Sequence, residues 1–220
     1  MPSGNGPMSW PEVGGYPRSG PWRARGYWPA LPAEPYYDND PGTEMLVMDA
    51  PDGSGVFFVR AGGPLRKLTW SSRAMSVIGA IGDHPYSGGA RGAVRSSDGL
   101  AVAAGSYGNP GWVLRTINTI TGEQTMLTVT GGPATIPATI IDVVYVPPLN
   151  AWFVLCGIDA EAKTLWKVTL TGPATATLAA QPITGTIPAG GGPRRAMYYD
   201  PDFQCILFVL APDQPFIAVK

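Results

Sequence analysis

A single histidine, His84, limits the catalytic chemistry that this sequence can carry. Any Ser-His-Asp or Cys-His arrangement would have to use His84, yet the surrounding segment GDHPYSGG contains no nucleophile motif. One histidine and two distant cysteines, Cys156 and Cys205, are also too few for a zinc site. We therefore expect His84 to lie in a surface loop, and we predict no catalytic residue, no bound metal and no cofactor.

Carboxylates are the other groups that could do chemistry. The segment 38–44, DNDPGTE, places oxygen atoms at alternating positions before a glycine, as calcium loops do, but Pro41 interrupts the pattern and the distal glutamate is missing. An ordinary acidic turn is the better interpretation. Asp98, Asp142 and Asp200 occupy corresponding positions along the chain, a spacing compatible with a propeller glycosidase. Turn residues of a structural repeat would have the same spacing, so we expect no enzyme.

Composition narrows the class of protein. The 220 residues include 29 glycines and 24 prolines, and only 14% are charged, which argues against long helices and coiled coils. A hydrophobic fraction of 45% is too high for a wholly disordered chain. The net charge of -1 gives no strong signal for nucleic acid, and no membrane span or secretory signal is visible. Both cysteines lie in apolar runs, which predicts buried free thiols.

Residues 1–43 differ from the rest of the chain, because nine prolines and seven glycines are interspersed with aromatic residues and show no periodicity. Prolines favour an extended backbone, and aromatic side chains on such a backbone are suited to lie on a protein surface. We predict an N-terminal arm that packs either on its own domain or on a neighbouring subunit. The predicted partner-binding residues of the arm are Trp10, Tyr16, Trp22, Arg23, Tyr27, Trp28, Tyr36 and Tyr37.

From residue 44 to residue 220, short apolar runs separated by turn residues recur in a fixed order. Four units align, each beginning with a strand, a tight turn such as APDGSG or PPLN, and a second, more apolar strand. The second strands begin at Val56, Leu100, Trp152 and Cys205, a spacing of about 45 to 53 residues that is typical of four-stranded propeller blades. The second strands should be buried on both faces, whereas the alternating third strands, LRKLT and LWKVT, should lie further out.

The strings LRTINTITGEQTML, YVPPLNAWFVL and YYDPDFQCILFVL resemble kelch- and NHL-type β-propeller repeats. In those repeats a Tyr-x-Pro turn precedes the inner strand and a Thr-Gly turn joins the outer two. The kelch double glycine has its nearest match at Gly62-Gly63. The arrangement is also similar to propeller-like modules of tailed-phage virion proteins, including tail-tube and nozzle components. The resemblance implies an all-β fold, a small β-propeller or propeller-like arc of about four antiparallel meanders.

We expect the fourth unit to lack its outer strand within residues 44–220. Three arrangements remain open. Residues 26–31 of the arm could supply the missing strand, a partner chain could supply further blades, or the domain could be an open arc.

The expected function follows from these features and from the resemblance. We expect a structural or interaction component of a larger, oligomeric assembly, located in a phage virion or alternatively in the cytoplasm, with protein subunits of the same assembly as partners. Its aromatic and arginine-bearing arm would contact those subunits. The alternative is a carbohydrate-binding propeller, with sites in loops 84–87 and 106–109. A propeller glycosidase is the third possibility.

Overall fold

A computed structural model describes residues 46–59, 64–79, 87–106, 112–132, 140–157, 164–183, 196–209 and 217–219. These ranges consist of β-strands joined by turns, with one short 3-10 helix at Pro147–Leu149 and no α-helix among them. A search of the same ranges finds no helix with the length and apolar character needed to span a bilayer. The all-β class predicted from the sequence is confirmed.

The strands form four sheets in which consecutive strands pair antiparallel in chain order. Sheet 1 contains β1 (Leu46–Asp49), β2 (Gly55–Val59), β3 (Leu65–Thr69) and β4 (Ala74–Gly79). Sheet 2 contains β5 (Ser87–Val94), β6 (Leu100–Ser106), β7 (Trp112–Asn118) and β8 (Gln124–Met126), and a short β9 (Thr128–Thr130) follows. Sheet 3 contains β10 (Ile140–Val146), β11 (Ala151–Cys156), β12 (Thr164–Gly172) and β13 (Thr175–Gln181). Sheet 4 contains β14 (Ala196–Asp200), β15 (Cys205–Val209) and β16 (Ile217–Val219).

The four sheets pack face to face through their first strands, as propeller blades do. Strand β1 lies against β5, β5 against β10, and β10 against β14. A four-stranded meander cannot bury both of its faces alone, and stacking buries them between neighbours. The interface of sheets 2 and 3 is the largest apolar cluster and includes Val102, Ala104, Leu114, Trp152, Val154 and Leu178. Comparable clusters lie between sheets 1 and 2 and between sheets 3 and 4.

Second strands are buried on both faces, as predicted. Every residue of β2 and β11 is buried, and so are residues 101–105 of β6. Strand β12 is buried at only two of its nine positions, which agrees with the prediction that third strands lie further out. Strand β3 does not agree, because three of its five residues are buried. In the predicted core, Trp152, Phe153, Val154, Leu155 and Ile206 are buried, Leu207 is half-buried, and the side chain of Phe208 lies outside the described residues.

Both cysteines are free thiols, and both are buried, as predicted. Cys156 lies in the interface of sheets 2 and 3, and Cys205 begins β15. We expect the native protein to react slowly with a thiol reagent such as Ellman's reagent, and the urea-unfolded protein to react fast, because burial blocks access of the reagent. Two rapid equivalents in the native state would contradict the burial of these strands.

The outer edge of sheet 2 differs from the prediction. A four-stranded repeat would make the run TMLTVT, residues 125–130, a single fourth strand, but it is divided between β8 and β9. The amide of Leu127 donates to Leu114 O in sheet 2 at 3.0 Å, whereas the next amide, Thr128, donates to Ala174 O beside sheet 3 at 2.9 Å. Strand β9 then pairs in parallel with β13. Sheet 3 therefore has five strands, and its outermost strand belongs to the preceding repeat.

Two glycines allow sheet 1 to approach sheet 2 closely. A Cβ atom on Gly79, at the end of β4, would lie 2.3 Å from the carbonyl oxygen of Thr121, and one on Gly122 would lie 2.8 Å from the Cα of Gly79. Gly122 also has a φ of 80°, which disfavours any other residue.

This contact yields a stability prediction. We expect Gly79→Ala to destabilise the protein by about 1 to 3 kcal/mol, because the clash is with backbone that cannot rotate away. Gly53→Ala is the matched control: it lies at a positive φ but nothing is within 4 Å of its added Cβ, so its cost should come from backbone strain alone. Urea unfolding of the two variants measures the difference, and a smaller loss for Gly79→Ala than for Gly53→Ala would contradict the close approach.

Sheet 4 has three strands in the order β14, β15 and β16 among the described residues. No packing of β14 against β1 comparable to that between the other first strands is found in the described part of the chain. The described sheets thus form an arc with two ends, sheet 1 and sheet 4. The arm and its residues 26–31, one of the three predicted ways to complete the ring, lie outside the described residues.

Candidate functional site

The first candidate site lies where the first strands meet and contains Asp49, Arg91 and Asp142. Asp49 ends β1, Arg91 follows an irregularity in β5, and Asp142 follows a bulge in β10. Bulges redirect side chains and are common beside functional sites. Arg91 donates to the carbonyl oxygen of Ala90 at 2.9 Å. The three strands that line the inside of the arc therefore contribute one guanidinium and two carboxyl groups.

Asp142 is the most perturbed acid of this group. Burial raises the pKa of its carboxyl group to about 6, and the charge of Asp49 adds to the rise, whereas backbone hydrogen bonds and Arg91 oppose it. Val143 N donates to Oδ1 at 2.8 Å, and Met197 N, on the first strand of sheet 4, donates to Oδ2. Partial burial also raises the pKa of Asp49. A carboxyl group with a pKa near neutrality can exchange protons, but here both oxygens accept hydrogen bonds, and the one from Met197 joins sheet 3 to sheet 4.

The second candidate site is a cluster around the guanidinium of Arg95, at the turn between β5 and β6. Arg95 donates to both carboxylate oxygens of Asp98, at 2.9 and 2.6 Å, and to Oδ1 of Asn150 at 3.1 Å. It also lies over the ring of Trp152, 5.2 Å from the centroid. The hydrogen bonds from Arg95 lower the pKa of Asp98. A planar guanidinium can donate two hydrogen bonds to a carboxylate and stack on an aromatic ring at the same time, whereas a lysine ammonium cannot.

Sheet 3 supplies the other half of this cluster. Tyr145 OH donates to Oδ1 of Asn150 at 3.0 Å, and the rings of Tyr145 and Trp152 lie 4.9 Å apart at 49°. Trp152 Nε1 donates to the carbonyl oxygen of Ala93 in sheet 2 at 2.9 Å. Asn150 has a left-handed backbone, with φ of 43°, which asparagine tolerates better than most residues. The cluster links sheet 2 to sheet 3, and its polar side chains hydrogen-bond to one another rather than pointing at an empty site.

The three aspartates considered for glycoside hydrolysis are not brought together in one group. Asp98 and Asp200 lie at turns, where their carboxylates accept backbone N–H groups: Leu100 donates to Asp98 at 3.1 Å, and Asp202 donates to Asp200 at 2.9 Å. Asp142 instead lies near the start of its strand. Aspartates commonly stabilise turns in this way. The shared spacing of Asp98 and Asp200 therefore has a structural cause.

The two ends of the arc carry exposed apolar side chains. We define the outer face of sheet 1 as the face turned away from sheet 2, and the outer face of sheet 4 as the face turned away from sheet 3. Val47 and Val77 on the outer face of sheet 1 are 48% and 62% exposed, and Tyr198 on the outer face of sheet 4 is 41% exposed. The register of the strands also places Val56, Phe58, Leu68 and Met75 on the outer face of sheet 1, and Cys205 and Leu207 on that of sheet 4. Of these, Met75 and Leu207 are half-buried and the others are buried.

Several predicted site residues lie outside the described residues. The arm is among them, with Trp10, Tyr16, Trp22, Arg23, Tyr27, Trp28, Tyr36 and Tyr37, and so are His84 and the acidic segment 38–44. The loops considered for carbohydrate binding, 84–87 and 106–109, are described only at the backbone of Ser87 and Ser106. In the described part of the chain, no group of three or more His, Cys, Asp or Glu residues could hold a metal ion.

Sequence reasoning did not anticipate the cluster around Arg95. The repeat pattern assigns Asn150 to the turn PPLN and gives no role to Arg95 or Tyr145. A signal was present, because Asn150 follows Pro147-Pro148-Leu149 and an asparagine after such a turn favours a left-handed backbone. Nothing in the sequence, however, indicates that Asn150 faces an arginine 55 residues earlier.

No family model and no curated protein matches this chain. Two solved structures are similar in three dimensions. One is an auxiliary nutrient binding protein from Bacteroides thetaiotaomicron, with 10% identity and a TM-score of 0.48 over 79% of this chain and 44% of that one. The other is the dihydro-heme d1 dehydrogenase NirN in complex with DHE, with 13% identity and a TM-score of 0.44 over 86% of this chain and 44% of that one. This chain thus spans less than half of either structure, and at this level of similarity neither assigns it an activity or a ligand.

Proposed function

We propose that this chain is a structural component of a larger assembly, a phage virion, in which the propeller-like domain and the aromatic arm contact neighbouring subunits. The observation that supports the proposal is the exposure of apolar side chains at the two ends of the arc. The interior interfaces between sheets are closed by apolar side chains, whereas the end sheets expose Val47, Val77 and Tyr198. Exposed apolar residues can form protein interaction surfaces, and among the described residues Ile120, Met126, Leu149 and Phe203 are exposed as well, at turns and at the edge of sheet 2.

Sheet 4 supports the same proposal through its edge. Its last strand, β16, has no further strand beside it among the described residues. An edge strand of this kind offers unpaired N–H and C=O groups to another chain. A subunit that adds a strand beside β16 and covers Tyr198 would continue the stack of sheets.

The virion location depends on the resemblance of the repeats to propeller-like modules of tailed-phage proteins and on the arm. Aromatic residues and arginine are enriched among residues that anchor protein interfaces. In the arm, Trp10, Tyr16, Trp22 and Arg23 have that chemistry.

Self-association of the intact chain tests the proposal. We expect sedimentation velocity to show oligomers whose fraction rises with concentration, and Tyr198→Lys to reduce that fraction at least tenfold because it places a charge in the contact. Phe203→Lys is the control: Phe203 is also an exposed aromatic residue, at 70% against 41% for Tyr198, but it lies in the turn before β15 rather than on the outer face. A chain that stays monomeric and binds a glycan array would overturn the proposal in favour of the carbohydrate-binding alternative.

A further inference from the structure

The outer edge of sheet 3 shows how one repeat adds a strand to the next sheet. Strand β9 follows the fourth strand of sheet 2 and pairs in parallel with β13, the fourth strand of sheet 3, so that Val129 lies beside Ala176. Val129 also packs against the apolar cluster between sheets 2 and 3. Strand β13 is thus held on both sides, antiparallel by β12 and parallel by a segment of the preceding repeat.

The strand register identifies Ile183 as the residue of the next repeat that corresponds to Val129. Gln124 and Leu178 hold the same place in sheets 2 and 3, because each pairs with the third-strand residue that lies opposite the second residue of the second strand. Val129 follows Gln124 by five residues, and Ile183 follows Leu178 by five residues. In the sequence, Thr-Gly comes directly after both. Ile183 packs against the cluster between sheets 3 and 4, as the correspondence requires.

Sheet 4 has a place for one more strand beside β16. Val219 of β16 pairs with Ile206, the second residue of β15, so Val219 corresponds to the β12 residue that pairs with Leu178. Among the described residues, no strand lies on the other side of β16. A strand in this place would have β16 antiparallel on one side and, by the correspondence with Val129, the segment at Ile183 parallel on the other. We define this place as the acceptor site.

We propose that the acceptor site binds an extended strand of a neighbouring subunit, which completes sheet 4 by strand addition. The equivalent positions of β13 define the chemistry of this donor strand. Ala176 and Leu178 are buried, whereas the two residues after Leu178 are exposed. The donor should therefore carry a small apolar residue beside Ile183 and a large apolar residue two positions later, opposite Val219.

Two observations favour a donor from another chain. Every described strand already has its place in one of the four sheets. A strand that is paired on both sides excludes proline, which has no N–H to donate. Residues 26–31 of the arm contain Pro29, and prolines recur through residues 1–45 with at most seven residues between them. The inference deepens the proposed function and rests on it, since the donor belongs to a neighbouring subunit.

Binding of a synthetic strand to the intact chain tests the proposal. The probe is a fluorescein-labelled peptide of residues 174–181, ATATLAAQ, which has the fourth-strand pattern. Fluorescence anisotropy, at a concentration where the chain is monomeric, should show saturable binding of one peptide per chain. Leu178→Asp in the peptide should weaken binding at least tenfold, because that residue enters the apolar interface, whereas Ala179→Asp at the exposed position should change binding less than threefold.

Two results of this titration would overturn the proposal. One is the absence of binding by the parent peptide, as expected if the arm of the same chain fills the acceptor site. The other is an equal loss of affinity from Leu178→Asp and Ala179→Asp, because binding would then not use the fourth-strand pattern.

A second measurement locates the bound peptide without altering the chain. With a benzophenone photo-cross-linking amino acid at peptide position 176, irradiation should join the peptide to Ile183 or to its immediate neighbours, as mapped by mass spectrometry. Cross-links at another part of the chain, such as β4 at the edge of sheet 1, would contradict the acceptor site.

This inference and the proposed function can fail separately. A chain that binds the peptide but never self-associates would retain the acceptor site and lose the proposed assembly. A chain that self-associates, but as a monomer does not bind the peptide, would retain the assembly and lose the acceptor site.

Discussion

Trp152→Ala should destabilise the protein by about 3 to 5 kcal/mol, which is enough to unfold a domain of ordinary stability. Trp152 is fully buried between sheets 2 and 3. The substitution removes the largest side chain of that interface, and it leaves the carbonyl oxygen of Ala93 without its donor and the guanidinium of Arg95 without its aromatic face. Equilibrium urea unfolding followed by circular dichroism measures the loss.

Two further variants separate the causes of this loss. Trp152→Phe keeps an aromatic ring but removes the N–H donor, and should cost about 1 to 3 kcal/mol, the range for a buried acceptor left unpaired. Phe203→Ala removes an exposed aromatic ring and should change stability by no more than about 0.5 kcal/mol. If Trp152→Ala melted within a degree or two of the wild type, the placement of Trp152 between two sheets would be wrong.

Asp142 should make the protein more stable at mildly acidic pH. Its pKa is raised from 3.8 to about 6, so the native state binds a proton more tightly than the unfolded state does. Stability should therefore fall as pH rises from about 4 to about 6, and then stay level with respect to this group. The size of the change is about 3 kcal/mol, at 1.36 kcal/mol for each unit of pKa.

Asp142→Asn isolates this effect, because asparagine has a similar shape and no charge. We expect the unfolding free energy of the variant to be nearly flat between pH 4 and pH 6, and to lie below that of the wild type, because the amide nitrogen of asparagine would face one of the two backbone N–H donors. Asp98→Asn serves as control, since Arg95 lowers the pKa of Asp98 and its pH dependence has the opposite sign. An Asp142→Asn protein with the same slope as the wild type between pH 4 and pH 6 would show that another group titrates there.

The sheets could be predicted from sequence because the turn residues and apolar runs that specify each sheet lie close together in the chain. Each repeat has its own turn, such as the segment 50–55 or the segment 147–150, and its own apolar second strand. The recurrence of this order supports the strand assignment in every repeat. The division of residues 125–130 could not be predicted in this way. Leu127 and Thr128 are adjacent in the sequence but donate to different sheets, and the partner of Thr128 is 46 residues later.

The candidate sites were less predictable than the sheets, because they depend on contacts between repeats. Arg95, Asn150 and Trp152 meet only after sheets 2 and 3 have stacked, and Asp142 accepts a hydrogen bond from Met197 only after sheets 3 and 4 have stacked. Residue type alone suggested that Asp98, Asp142 and Asp200 had one role. Their environments give them two, turn stabilisation for Asp98 and Asp200 and a link between sheets for Asp142.

The parallel pairing of β9 with β13 has a consequence for how the domain unfolds. Sheets 2 and 3 are joined by backbone hydrogen bonds as well as by side chains, whereas sheet 1 and sheet 4 are attached to them mainly through side-chain packing. Native-state hydrogen exchange should therefore report sheets 2 and 3 as one cooperative unit with a single opening free energy. Sheets 1 and 4 should open at lower free energy, each without the other, so the arc would lose its ends before its centre.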